Sequence, residues 1–141
     1  MTMNQEYIDN LWDRAVLTIY AAKRTLSFSS DTAANRAYYA AFYAVSALLA
    51  SEEKFYKKHT ALRAAVHKDL VHTGRWSSGL GDDYDKLHKL RSVADYGVVQ
   101  HASIEDARAA IEQSERIIQA VHEARPDIFS LDINVEENNT D

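Results

Sequence analysis

A chain of 141 residues with no cysteine, one proline and four glycines has the length for one domain around a single core, and it excludes disulfides and thiolate metal sites. No apolar run approaches the ~20 residues that span a bilayer and no secretory h-region is present, so the composition reads as a cytoplasmic protein with no membrane association. The net charge is −5, yet acid and base balance once the segment 127–141 is set aside, because that segment carries Asp127, Asp132, Glu136, Glu137 and Asp141 with no Lys or Arg.

The pattern predicts an all-α protein, an antiparallel bundle of about five helices over 1–126 followed by an acidic, disordered tail over 127–141. The first helix, Asn4 to Leu26, carries Trp12, Ala15, Ile19, Ala22 and Leu26 at three-four spacing, a single apolar seam. SFSSD at 27–31 reads as a loop in which Ser30 or Asp31 caps the next helix. That second helix, Thr32 to Ala50, is apolar almost all round (RAYYAAFYAVSALLA over 36–50), which places it at the centre of a bundle. The same all-round apolarity also suggests a homodimer, with Arg91 at or beside the interface.

A basic connection leads to a third helix, Thr60 to Val71, and TGRWSSGLG at 73–81 reads as a loop. The fourth helix, Asp82 to Tyr96, ends near Gly97, and SIED at 103–106 has the spacing of a helix start. The fifth helix then turns Ala107, Ala110, Ile111, Ser114, Ile117, Ile118 and Val121 inward and stops at Pro126.

Several chemistries find no motif. Neither GxxxxGK[ST] nor GxGxxG occurs, and neither HExxH nor GxSxG does. His67 and His72, five apart, point to different faces of a helix, which argues against a two-His metal site; no cofactor is implied.

Two polar groupings remain. Along the fourth helix, His88, Arg91 and Asp95 share one face, with Tyr84 a turn earlier. Arg91 and Asp95 at i,i+4 fit a structural ion pair. The alternative to that structural reading has Arg91 as a cation for a scissile phosphate, with His88 or His101 moving the proton of a 2′-hydroxyl. The second grouping lies in the basic stretch Lys54 to Arg75, where Lys54, Lys57, Lys58, Arg63, Lys68 and Arg75 face only Asp69. His59, Arg63 and His67 recur there at four-residue spacing. With Lys57 and Lys58 they would line an RNA- or phosphate-binding groove; otherwise the stretch is a solvated face and His59 an exposed cap residue.

NRAYYAAFYAVSALLAS at 35–51, KKHTALRAAVHKDLV at 57–71 and LHKLRSVADYG at 87–97, followed by the Ala-rich last helix, together resemble the HEPN domain family. The resemblance implies a dimerising helical bundle and a small nucleotidyltransferase as protein partner. In the RNase branch it implies a metal-independent site built on R-x4-6-H. Arg91 takes the place of the motif arginine, while Tyr96 stands where the RNase branch has histidine. In some relatives a tyrosine near that position accepts AMP from the partner nucleotidyltransferase. Arg116 and His122 also satisfy R-x5-H, but they lie away from the apolar stripe of the last helix and read as a coincidence. Two functions stay open: the HEPN half of a toxin–antitoxin pair acting on RNA or nucleotides as a metal-independent RNase, or a non-catalytic nucleotide- or protein-binding module.

Overall fold

The computed structural model describes residues 2–96 and 101–131, with backbone alone at positions 95 and 96. Its elements are α1 (Met3–Thr25), α2 (Ser30–Ser51), α3 (His59–Ala65) running on into a π-helical turn (Val66–Val71), α4 (Ser78–Tyr96) and α5 (Ile104–Ala124), and the described residues contain no strand. The all-helical bundle is therefore the fold. α2 is its axis, packed against α1, α4, α5 and the start of α3. Ala37, Ala40, Ala41, Ala44 and Ala47 are fully buried along it and let neighbouring backbones come close, while Tyr38, Val45, Leu48 and Leu49 fill the space between. Its all-round apolarity is thus consumed within one chain. The seam of α1 and the inward face of α5 are buried as their spacing requires.

Local chemistry sets the ends. Thr2 and Gln5 form a reciprocal capping box at α1, and Ser103 accepts from Asp106 N–H at the start of α5. The cap of α2 is Ser29, one residue ahead of the expected pair. Ser30 and Asp31 are otherwise engaged: Ser30 donates to the Ala102 carbonyl at 2.6 Å and Asp31 accepts from Ala102 N–H at 2.7 Å, tying the approach of α5 to the start of α2.

Three regions differ from expectation. The stretch 78–81 is helical rather than loop, so α4 starts one turn early. Gly81 eases this approach: a Cβ there would lie 3.0 Å from Val71 Cγ2 and 3.2 Å from His67 Cε1, so any larger residue would require those side chains to shift. The third helix is not uniformly α. From Val66 it widens into the π-helical turn, marked by His72 N–H donating to the His67 carbonyl at 2.8 Å. Finally, the packed chain extends past Pro126. Phe129 is fully buried 5.1 Å from the Trp12 ring, Trp12 Nε1 donates to the Ser130 carbonyl at 2.8 Å, and His122 Nδ1 donates to the Phe129 carbonyl at 2.6 Å. The first residues of the expected acidic tail thus close one end of the core, because an aromatic side chain there outweighs the polar character of its surroundings. The remainder, 132–141, lies outside the described residues, as does the expected helix end at Gly97.

Candidate functional site

The site grows from α2. Its YY dipeptide places Tyr38 inward, fully buried, and leaves Tyr39 half-buried at the edge with Phe42 one turn on. His59, the first residue of α3, lays its ring flat on Phe42 (centroids 4.4 Å apart, 20° between planes) and parallel to Tyr38 at 5.6 Å, with Tyr39 edge-on. The Tyr38 hydroxyl lies 2.6 Å from His59 Nδ1. His59 is therefore no solvated cap residue but the fourth wall of an aromatic box.

α4 supplies the other side. His88 stands edge-on to Tyr38 at 5.9 Å. One turn further, Arg91 donates to the Tyr39 hydroxyl at 3.0 Å and holds its guanidinium 5.5 Å from both the Tyr38 and Tyr39 ring centres. One turn before His88, Tyr84 is fully buried against Tyr38, ring centres 6.0 Å apart. Between the two lies Asp85, whose Oδ1 accepts from Arg63 Nε at 2.8 Å and from His67 Nε2 at 2.9 Å, both on the third helix.

These placements shift the proton affinities of the site in consistent directions. Burial, then the charges of Arg91 and His88, lower His59 below the ordinary imidazole value. Burial, then Arg63 and Arg91, do the same to His88, against a smaller opposing pull from Asp85. Burial raises the Tyr38 phenol and raises that of Tyr84 well above the ordinary range. The Tyr38 hydroxyl and His59 Nδ1 share one hydrogen bond, whose direction follows the imidazole tautomer. Burial works against ionisation of Asp85, but the hydrogen bonds from His67 and Arg63 outweigh it and hold the carboxyl below the usual range. The result is two neutral imidazoles beside fixed guanidinium charge, on one half-buried wall.

A family model for the HEPN domain matches residues 8–124, which span every element of the site. The chain belongs to the HEPN domain family. A UPF0332 protein of Thermotoga maritima is 33% identical over 97 residues, covering 69% of this chain and 74% of the relative. A UPF0332 protein of Gloeobacter violaceus is 32% identical over 126 residues, covering 87% of this chain and 97% of its own.

Within this HEPN fold the residues singled out from sequence divide sharply. His88, Arg91, His59, Arg63 and His67 come together from two stretches of chain. His101 stands apart, exposed, its Nδ1 2.8 Å from Asp31. Asp31 is eight residues from Tyr39, about 12 Å along the helix. The side chains of Asp95 and Tyr96 lie outside the described residues. Lys57 and Lys58 are exposed just ahead of His59. Elsewhere in the basic stretch Lys54 lies 3.6 Å from Asp69 and Arg75 forms a two-pronged pair with Glu52, so its charge is partly neutralised. Arg116 and His122 are engaged elsewhere, the exposed Arg116 in an ion pair with Asp83 and His122 on the Phe129 carbonyl.

Two members were not anticipated from sequence, Tyr38 as the partner of His59 and Asp85 as the partner of Arg63 and His67. The placement of Asp85 three residues before His88 was a readable signal. Tyr38 carried none, since its ring is indistinguishable in the sequence from Tyr39 and Tyr43. Among the described residues no group of three His, Asp or Glu side chains could hold a metal ion, and no helix is long and apolar enough to cross a membrane.

Proposed function

We propose that this HEPN domain binds RNA and cleaves it by proton transfer between His59, His88 and the strand. The observation that carries the proposal is the meeting of two neutral imidazoles with Arg91 on one wall. A neutral imidazole can take the proton of a 2′-hydroxyl; the oxygen attacks the adjacent phosphorus, and the bond to the 5′-oxygen breaks as the other imidazole, protonated, supplies its proton. The products are a 2′,3′-cyclic phosphate and a 5′-hydroxyl. Arg91 stabilises the charge gathering on the non-bridging oxygens, and Lys57, Lys58 and Arg63 lie where the strand would continue. Since the acid must be charged and the base neutral, and both imidazoles resist charging, activity peaks on the acidic side of neutrality.

The proposal includes the cytoplasmic setting, the homodimer and the small nucleotidyltransferase partner that the family resemblance implies, with Tyr96 as the residue an adenylyl group would modify. A monomer mass by light scattering at micromolar concentration would remove the dimer from it, and an unmodified Tyr96 after co-expression would remove the modification. The decisive experiment for the chemistry uses purified protein, a single-stranded RNA oligonucleotide and excess EDTA. Cleavage with a cyclic phosphate end, absent when the strand is 2′-deoxy and absent in His59→Ala, supports the reading. Binding without cleavage instead favours the non-catalytic module, to which Tyr96 in the place of the motif histidine points.

A further inference from the structure

We propose that His67 and Asp85 are positioning residues, which together fix the Arg63 guanidinium beside His88 and orient it toward a bound anion. The inference rests on the function proposed above in naming the anion a phosphate of RNA, but its geometry stands independently. Arg63 and His67 both reach a single oxygen, Asp85 Oδ1, at 2.8 and 2.9 Å. Arg63 engages it through Nε alone, and neither of its terminal nitrogens makes a hydrogen bond among the described residues. A guanidinium held from its side in this way presents its two terminal N–H groups, the fork that matches phosphate oxygens.

The backbone around this clamp is unusual in two coordinated ways. The π-helical turn starts at Val66, immediately before His67, and the place where α4 meets it is Gly81, where any Cβ would press on both Val71 and the His67 ring. His67, one turn past Arg63, reaches Asp85 at this close approach, its Cε1 3.2 Å from where a Gly81 Cβ would stand. The three partners are each about one-third to two-fifths exposed (Arg63 43%, Asp85 34%, His67 33%), so as an ion pair the cluster contributes little to stability. Its effect is on where one charge sits.

That effect has a sign that can be measured. The charged and titratable groups facing His88 are Arg63 from the third helix, Arg91 and Asp85 from its own helix, and His59 and Tyr38 from the aromatic box. If Asp85 acted on His88 only through its own charge, removing it would lower the His88 midpoint. If Asp85 holds Arg63 in place, removing it releases the stronger, opposing influence, and the midpoint rises.

The experiment is an NMR titration of the histidine ring protons in the full chain. Asp85→Ala is expected to raise the His88 midpoint by about half a pH unit, a fraction of the ~1–3 that a close, buried charge produces. His67→Ala should raise it less, and His67→Gln, which retains a donor, should restore it. In an Arg63→Ala background the Asp85→Ala change should reverse sign. A midpoint that falls or stays fixed in Asp85→Ala with Arg63 present overturns the proposal. Should Asp85→Ala not fold, the His67→Ala and His67→Gln pair decides alone, and equal midpoints in the two overturn it. Because the titration needs no RNA, a protein that cleaves nothing but shows the sign reversal keeps the clamp and loses the proposed function.

Discussion

Two aspartates on α4, two residues apart, hold arginines in opposite ways. Asp83 is 7% exposed and grips Arg116 of α5 with both oxygens, Oδ2 to Nε and Oδ1 to Nη2, each at 2.9 Å. Asp85 offers one oxygen to Arg63 and shares it with His67. The first arrangement occupies Nε and one terminal nitrogen of Arg116 and locks α4 to α5. The second engages Arg63 through Nε, with no hydrogen bond from its terminal nitrogens among the described residues. The same residue types, within one turn of one helix, make a structural rivet on one face and a positioned cation on the other. What separates them is the burial of the aspartate and whether its two donors come from one residue or from two, not the identity of the pair.

The largest test of that division is catalytic. Arg91→Ala and His88→Ala are expected to lower RNA cleavage by about 10²–10⁴-fold, whereas Arg116→Ala, across the bundle, should cleave at the wild-type rate when assayed well below its melting temperature. Loss of cleavage in Arg116→Ala would show that the Asp83–Arg116 pair serves the site as well as the fold.

Stability should show the reverse order. Asp83→Ala removes a nearly buried carboxylate from an arginine that is itself 54% exposed, and is expected to cost about 1–2 kcal/mol in urea denaturation, the solvent around Arg116 discounting the charge-assisted bonds. Asp85→Ala, at a cluster one-third exposed, should cost less than about 1 kcal/mol.

The glycines of the α4 start sharpen the contrast further. Gly81→Ala should destabilise by about 1 kcal/mol, because its Cβ meets Val71 Cγ2 at 3.0 Å. Gly79→Ala, with only Ser77 Oγ at 3.6 Å in reach, should stabilise by up to about 0.5–1 kcal/mol by reducing the freedom of the unfolded chain. Paired melting curves check both.

The smallest expected effect is on the pH dependence of folding. His59 and His88 have folded midpoints below the unfolded imidazole value of about 6.5, because burial and the nearby cations disfavour their charged forms. The unfolded chain therefore binds more protons in that window. The stability they contribute is complete above about pH 6.5 and is lost as pH falls through the folded midpoints. Denaturation series at pH 7.5, 6.5 and 5.5 should show this decline, and it should flatten in the His59→Gln, His88→Gln double variant. A decline of equal slope in the double variant would show that His59 and His88 do not cause it.

Much of this protein is determined by its sequence because much of it depends on local periodicity. The three-four spacing of α5 picks out the side chains that are buried, and the breadth of apolar character in α2 places it at the bundle axis, since a helix without a polar face must be covered on all sides. The stripe of Tyr84, His88 and Arg91 was equally legible, being a matter of one helix's own geometry. Tertiary structure decided everything that needed two stretches to meet. Tyr38 and His59 are 21 residues apart and Arg63 and Asp85 are 22 apart, and no spacing rule links them. Nor could periodicity reveal the π-helical turn, which packs where Gly81 of α4 comes close to Val71 and His67. Phe129 belongs to the core for the same reason: the Trp12 ring, 117 residues earlier, supplies a surface that the acidic residues around Phe129 do not announce. Local pattern determines which faces are apolar; only packing determines which polar groups those faces bring together, because their pairing energies depend on burial that no single segment possesses.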